Sequence, residues 1–95
     1  MKVIWSKKAI SDYHSIIDYL IMNWSESSAE KFIDQVLVKI HLIKTHPEAF
    51  EKTNFKKVSK MVITKQITLF FRVSKSRVYL FRFWNNYQNP EKLSL

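Results

Sequence analysis

The chain has 95 residues, with 16 Lys plus Arg against 8 Asp plus Glu, a formal charge of +8, and 46% hydrophobic and 15% aromatic residues. That is apolar material enough for one core, too little chain for a second, and unlike the composition of a disordered basic tail. Gly and Cys are both absent, which excludes the positive-φ glycine turns of P-loops, dinucleotide fingerprints and nucleophile elbows, together with disulfides, thiol catalysis and thiolate metal sites.

The opening Met1-Lys2-Val3-Ile4-Trp5-Ser6-Lys7-Lys8 reaches charge before any long apolar stretch, and no later run approaches the ~20 apolar residues that span a bilayer. The expectation is an unprocessed cytoplasmic protein with no membrane association, and the lack of cysteine suits a reducing compartment.

Residues 2–5 form a short apolar run that reads as a strand. From Ser6 the apolar positions are Ala9, Ile10, Tyr13, Ile16, Ile17, Leu20, Ile21 and Trp24; steps of three and four predict an amphipathic helix over 7–22 with Ser6 as N-cap. Asn23 is the expected terminator, because its short amide tolerates the left-handed conformation where glycine is missing. Ser27 followed by Glu30 fits a capping box ahead of Ala29, Phe32, Ile33, Val36, Leu37, Ile40 and Ile43. Lys39, His41, Lys44 and His46 favour the negative end of this second helix, and Pro47 closes it. A connector of four or five residues predicts an antiparallel helical hairpin.

After Pro47, runs rich in β-branched and aromatic residues over 55–64, 67–74 and 77–85 predict three strands, with breaks at Lys65-Gln66 and Ser74 to Ser76. Along the last, Val78, Leu80, Arg82 and Trp84 alternate with Tyr79, Phe81 and Phe83. The reading is an α+β protein of order β-α-α-β-β-β, one domain over 1–95, in which the hairpin packs on a small, mainly antiparallel twisted sheet. The opposite sheet face is expected to be an aromatic and basic concavity.

Charge divides unevenly: residues 1–47 hold 6 basic and 5 acidic residues (+1), whereas 48–95 hold 10 and 3 (+7). Lys52, Lys56, Lys57, Lys60, Lys65, Arg72 and Arg82 are therefore candidates for a surface that meets a polyanion or an acidic protein. Lys56, Lys57 and Lys60 suit phosphates, and equally suit the blunting of a sheet edge. His14, His41 and His46 have no metal-ligand spacing, so neither metal nor cofactor is expected. Asp12 and Asp18 do not share a helical face, and Glu51 stands as a weak general-base candidate. The stretch from Phe83 to Pro90 is the most site-like: Asn85, Asn86 and Gln88 offer hydrogen bonds, and Tyr87 can stack on a base or move a proton. Its plainer reading is a strand exit with Asn forming the turn and Pro90 ending it.

Several motifs in this order resemble the RelE/ParE superfamily of bacterial toxins from type II toxin–antitoxin modules: Val3-Ile4-Trp5-Ser6 with Ala9, Ile17-Asp18-Tyr19-Leu20, Ala29-Glu30-Lys31-Phe32, Leu42 with Pro47, Leu69-Phe70-Phe71-Arg72-Val73 and Gln88-Asn89-Pro90. The resemblance implies a toxin silenced by a cognate antitoxin, acting either as a metal-independent endoribonuclease on ribosome-bound mRNA or as a poison of DNA gyrase. Cutting RNA without metal needs a base for the ribose 2′-hydroxyl, cations for the phosphorane and an acid for the leaving oxygen. The arginine common early in the family's penultimate strand falls on Thr68 here, and its His-x-Arg after the last strand falls on Asn85-Asn86-Tyr87. The resemblance thus leaves Arg72, Arg82 and Tyr87 as catalytic candidates, with Lys56, Lys57, Lys60, Asn85, Asn86 and Gln88 for nucleic acid or target. The competing class is a non-catalytic module, either a small RNA-binding domain or a decayed toxin that retains partner binding.

Overall fold

A computed structural model describes residues 1–88 and 90–95. Strand β1 (Lys2–Trp5) leads through Ser6 into helix α1 (Lys7–Asn23), then α2 (Glu26–Thr45), and strands β2 (Ser59–Thr64), β3 (Ile67–Ser74) and β4 (Arg77–Asn85), with a short 3-10 turn at Pro90–Lys92. The sheet order is β1-β4-β3-β2. First and last strands pair in parallel, while β2–β3 and β3–β4 are antiparallel hairpins.

Ser6 caps α1 as expected, its Oγ accepting from Ala9 N at 2.9 Å, and the same hydroxyl donates to Phe81 O at 2.8 Å. At the other end the expectation for Asn23 fails: it stays helical, its amide donates to Tyr19 O, and the residues with positive φ are Lys57 and Lys75. Both Trp24 N and Ser25 N donate to Leu20 O instead, which compresses the connector to two residues. The second N-cap is Ser25 rather than Ser27, because Ser25 Oγ accepts from Ser28 N at 3.0 Å and α2 has already begun at Glu26. Strand β2 starts at Ser59, not near 55, since residues 53–58 form a turn in which Thr53 N and the Thr53 hydroxyl both donate to Val58 O and Lys57 takes φ 58°.

The core lies between the hairpin and one face of the sheet. Ala9, Phe32, Val36, Ile40 and Ile43 from the helices meet Met61, Ile63, Ile67, Leu69, Phe71, Val78, Leu80 and Phe83 from the strands. Trp5, Tyr13, Phe32 and Phe83 form an aromatic cluster, with ring centroids 5.1–5.8 Å apart, that ties β1, both helices and β4 together. Burial among these rings raises the Tyr13 pKa by disfavouring phenolate.

Regular alternation does not run the length of β4. Phe70 pairs with Arg82 but Phe71 pairs with Leu80, so Phe81 is an extra residue and the phase flips there. Val78 and Leu80 face the core before the bulge and Phe83 after it. Arg82 and Trp84 therefore leave the face of Val78 and Leu80, the reverse of the simple two-residue period.

Beyond the Trp5–Leu80 pair, β1 no longer covers the flank of β4, and the start of α1 takes over as its hydrogen-bonding partner. Ser6 N donates to Leu80 O, Ser6 Oγ donates to Phe81 O, and Asp12 accepts from Phe83 N at 3.0 Å. Asp12 also receives Arg82 bidentately, Nε to Oδ2 at 2.7 Å and Nη2 to Oδ1 at 3.0 Å, the two side chains being only 15% and 17% exposed for Arg82 and Asp12. Hydrogen bonding to Asp12, against the opposing cost of burial, holds the Arg82 pKa above its ordinary value. A raised pKa on a cation means the stabilisation is complete below the ordinary arginine range and is lost only above it, so the contact is insensitive to pH near neutrality.

Asp12→Ala is expected to cost about 2–3 kcal/mol, because it strands the Arg82 charge and the Phe83 amide together. Ser6→Ala, which loses a cap and a second hydrogen bond, is expected to cost about 1–2 kcal/mol. Urea unfolding followed by circular dichroism measures both; an Asp12→Ala midpoint equal to that of the unsubstituted chain refutes the first.

Candidate functional site

Where β4 ends, the chain turns back on the β2–β3 connection. Asn86 N donates to Gln66 O at 2.7 Å and Asn86 Nδ2 to Lys65 O, while Thr68 Oγ1 donates to Asn86 Oδ1 at 2.8 Å. Asn85 Oδ1 accepts from Tyr87 N and Asn85 O from Gln88 N, a side-chain-supported turn. Asn85 and Asn86 thus hold the strand exit, as the plainer reading of this stretch has it. Tyr87, 74% exposed, and Gln88 project from it. Asn89 of the terminal motif lies outside the described residues.

This exit forms one wall of a cleft of about 620 Å³ between the helical hairpin and the end of the sheet. Ile16, Leu20, Phe32, Ile67 and Phe83 give it apolar lining, Gln35, Gln66, Asn85 and Gln88 supply amides, and Lys31 and Lys65 supply cations. Its size and mixture fit a site for apolar side chains with polar anchors. Of the sequence candidates, Arg82, Asn85, Tyr87 and Gln88 come together here, with Arg82 already engaged by Asp12.

The others lie elsewhere. Lys60 and Arg72 hold register positions on the sheet face turned away from the helices, where Lys60 pairs with Phe70 and Arg72 with Tyr79. Lys60 sits 3.8 Å from Glu51, which gives the general-base candidate a lysine neighbour. Lys56 and Lys57 are exposed in the turn before β2. Arg72 lies between Tyr79 and Phe81, its guanidinium carbon 5.7 Å from each ring centroid. Sequence reading missed Asp12: its distance from Asp18 argues against paired carboxylates, and nothing in the spacing indicates that it seals a strand edge. Among the described residues, no group of three or more His, Cys, Asp or Glu is placed to hold a metal, and no helix is long and apolar enough to cross a membrane.

A helical hairpin on a four-stranded mixed sheet, with parallel outer and terminal strands, is the α+β fold of RelE/ParE toxins. It is shared with the chromosomal ParDE system of P. aeruginosa (TM-score 0.74, 16% identity, 90% of this chain and 95% of that one). The YoeB/ParE toxin of Agrobacterium tumefaciens is similar at TM-score 0.67 and 19% identity over 92% of this chain and all (100%) of its own. So is the heterotetrameric YoeB–YefM toxin–antitoxin complex of Staphylococcus aureus, at 0.64 and 16% over 92% and 98%. Identities this low speak to the fold. Comparison with curated proteins gave no match. The family model described as the ParE toxin of the type II toxin–antitoxin system, parDE, matches residues 3–90, and the chain belongs to that family. It is a toxin of the RelE/ParE superfamily.

Tyr87→Ala is expected to shift stability by less than about 0.5 kcal/mol, because the ring is exposed. Thr68→Val is expected to cost about 1 kcal/mol, since Thr68 is buried and its hydroxyl holds Asn86. Chemical denaturation of the two variants side by side checks the contrast.

Proposed function

We propose that this chain, acting as one domain over residues 1–95 in the cytoplasm, stops growth by binding DNA gyrase rather than by cutting RNA, and is neutralised by a cognate acidic antitoxin. The observation that carries this reading is the hydrogen bond from Thr68 to Asn86. It links the strand position where cutting relatives place an arginine to the centre of the stretch where they place His-x-Arg, and the residues here are neutral. Arg82, the arginine among the residues lining the cleft, is held by Asp12. Stabilising a phosphorane requires cations aimed at the developing charge, and loss of one such donor typically lowers the rate by about 10²–10³. The other cations of the cleft are Lys31 and Lys65, point charges without the planar fork of a guanidinium.

The cleft supports a protein target. Its apolar lining with exposed Tyr87 and Gln88 on the rim suits the side chains of another protein, and a tyrosine at the edge of such a cleft is a common anchor of binding energy. For the antitoxin, the supporting feature is charge: the stretch 52–90 contains no Asp or Glu, so a partner that covers it must bring carboxylates of its own.

On induction in bacteria, DNA synthesis is expected to fail before protein synthesis, with both protected by co-expression of the neighbouring small gene. Purified chain is expected to inhibit gyrase supercoiling, and Tyr87→Ala to weaken that inhibition by about tenfold or more while remaining folded. Immediate loss of translation with fragmented mRNA and unaffected supercoiling would sink the gyrase reading.

A further inference from the structure

The two inner-sheet arginines have opposite fates. Arg82 is neutralised by Asp12, whereas Arg72 forms no hydrogen bond or ion pair among the described residues, and its Nε is buried without a partner. A guanidinium clamped between the faces of Tyr79 and Phe81 has given up side-chain freedom and part of its hydration while keeping its full charge. Such a group is preorganised for an anion that the molecule does not itself provide.

Its surroundings share that character. One turn away, at the tip of the β3–β4 hairpin, Ser74, Lys75, Ser76, Arg77 and Tyr79 line a polar pocket of about 380 Å³ that contains no carboxylate. Ser74 pairs with Arg77 and Arg72 with Tyr79, so these residues occupy consecutive rows on the face away from the helices. The β1 neighbour of Arg77 is another cation, Lys2. Lys75 takes φ 57°, a left-handed conformation that is strained for a residue with a Cβ and usual for glycine. This pocket lies at the opposite end of β3 from the Thr68–Asn86 contact and shares no lining residue with the larger cleft.

We propose that this hairpin face is a binding site for single-stranded nucleic acid, with backbone phosphates on Arg72, Lys75 and Arg77 and a base stacked beside Tyr79. An acidic peptide could satisfy the cations, but it would make no use of the part of the Tyr79 ring that borders the pocket; a strand that alternates phosphates with flat bases matches both halves of the site. Hydroxyls at Ser74 and Ser76 add neutral donors suited to phosphate oxygens. This goes beyond the proposed target, because it concerns a different surface and stands whichever process the toxin blocks.

The test is fluorescence anisotropy of the full-length chain with a dye-labelled 20-nucleotide DNA strand, the same sequence as RNA, and an abasic strand of equal length. Binding of the base-bearing strands is expected to exceed that of the abasic one. The exposed-residue double variant Lys75→Gln/Arg77→Gln is expected to weaken binding at least about tenfold and to reduce the salt slope by roughly 1.4, two phosphates at about 0.7 each. Arg72→Lys, checked for its melting temperature, is expected to keep charge but lose preference for bases over the abasic strand. Lys56→Gln/Lys57→Gln, in the turn before β2, is expected to retain wild-type affinity to within a factor of about 2. The proposal is overturned by absence of binding, by equal affinity for base-bearing and abasic strands, by an unaffected Lys75/Arg77 double variant, by equal loss in the Lys56/Lys57 variant, or by displacement of the strand with polyglutamate of equal charge.

Discussion

A single carboxylate, that of Asp12, joins the first helix to the open flank of the last strand. β1 is four residues long and stops opposite Leu80, whereas β4 runs on to Asn85. Its backbone groups beyond that point need partners, and a sheet edge left unpaired invites association. The start of α1 supplies them through Ser6 and Asp12. The contact also fixes the bulge at Phe81, since Arg82 must reach Asp12 while Phe83 enters the aromatic cluster with Trp5 and Tyr13. Helix placement, strand phase and the near wall of the cleft therefore rest on one hydrogen-bonded ion pair.

The same contact sorts the charges of a chain rich in cations. With no Asp or Glu between residues 52 and 90, every acidic partner for the later sheet must come from outside that stretch. Asp12 takes Arg82 and Glu51 lies near Lys60. Arg72 and the hairpin tip are left with aromatic neighbours and hydroxyls. The sheet thus has two chemically different ends. At one, a cleft with apolar lining, amides and two lysines stands beside the neutral Thr68–Asn86 contact; at the other, Arg72, Lys75 and Arg77 have no carboxylate partner among the described residues.

Absence of glycine restricts the turns in a way the structure makes concrete. Left-handed positions are filled by Lys57 and Lys75, each in a turn next to a strand of the basic half. The helical connector avoids the problem altogether, with Leu20 O accepting two amides and no residue in the left-handed region. This is why the amide expected to terminate α1 at Asn23 remained helical: two hydrogen bonds to one carbonyl complete the end without a positive φ.

Local pattern in the sequence sufficed for element type and order, both helix cores, the Ser6 cap, the bounds of β3 and β4, the uneven charge and the family. Those features depend on three- and two-residue periodicity and on neighbouring side chains, which are interactions short enough to be written along the chain. It also singled out the stretch from Phe83 to Pro90, because Asn-rich strand exits follow local turn chemistry. What the sequence could not contain is the phase of β4 after Phe81, the pairing of Asp12 with a residue 70 positions away, and the separation of Arg72 from Arg82 into a free and a neutralised cation. A bulge shifts every later side chain to the opposite face, and its position is set by which strand, helix and carboxylate meet across the fold. Only closure of the tertiary structure makes that choice.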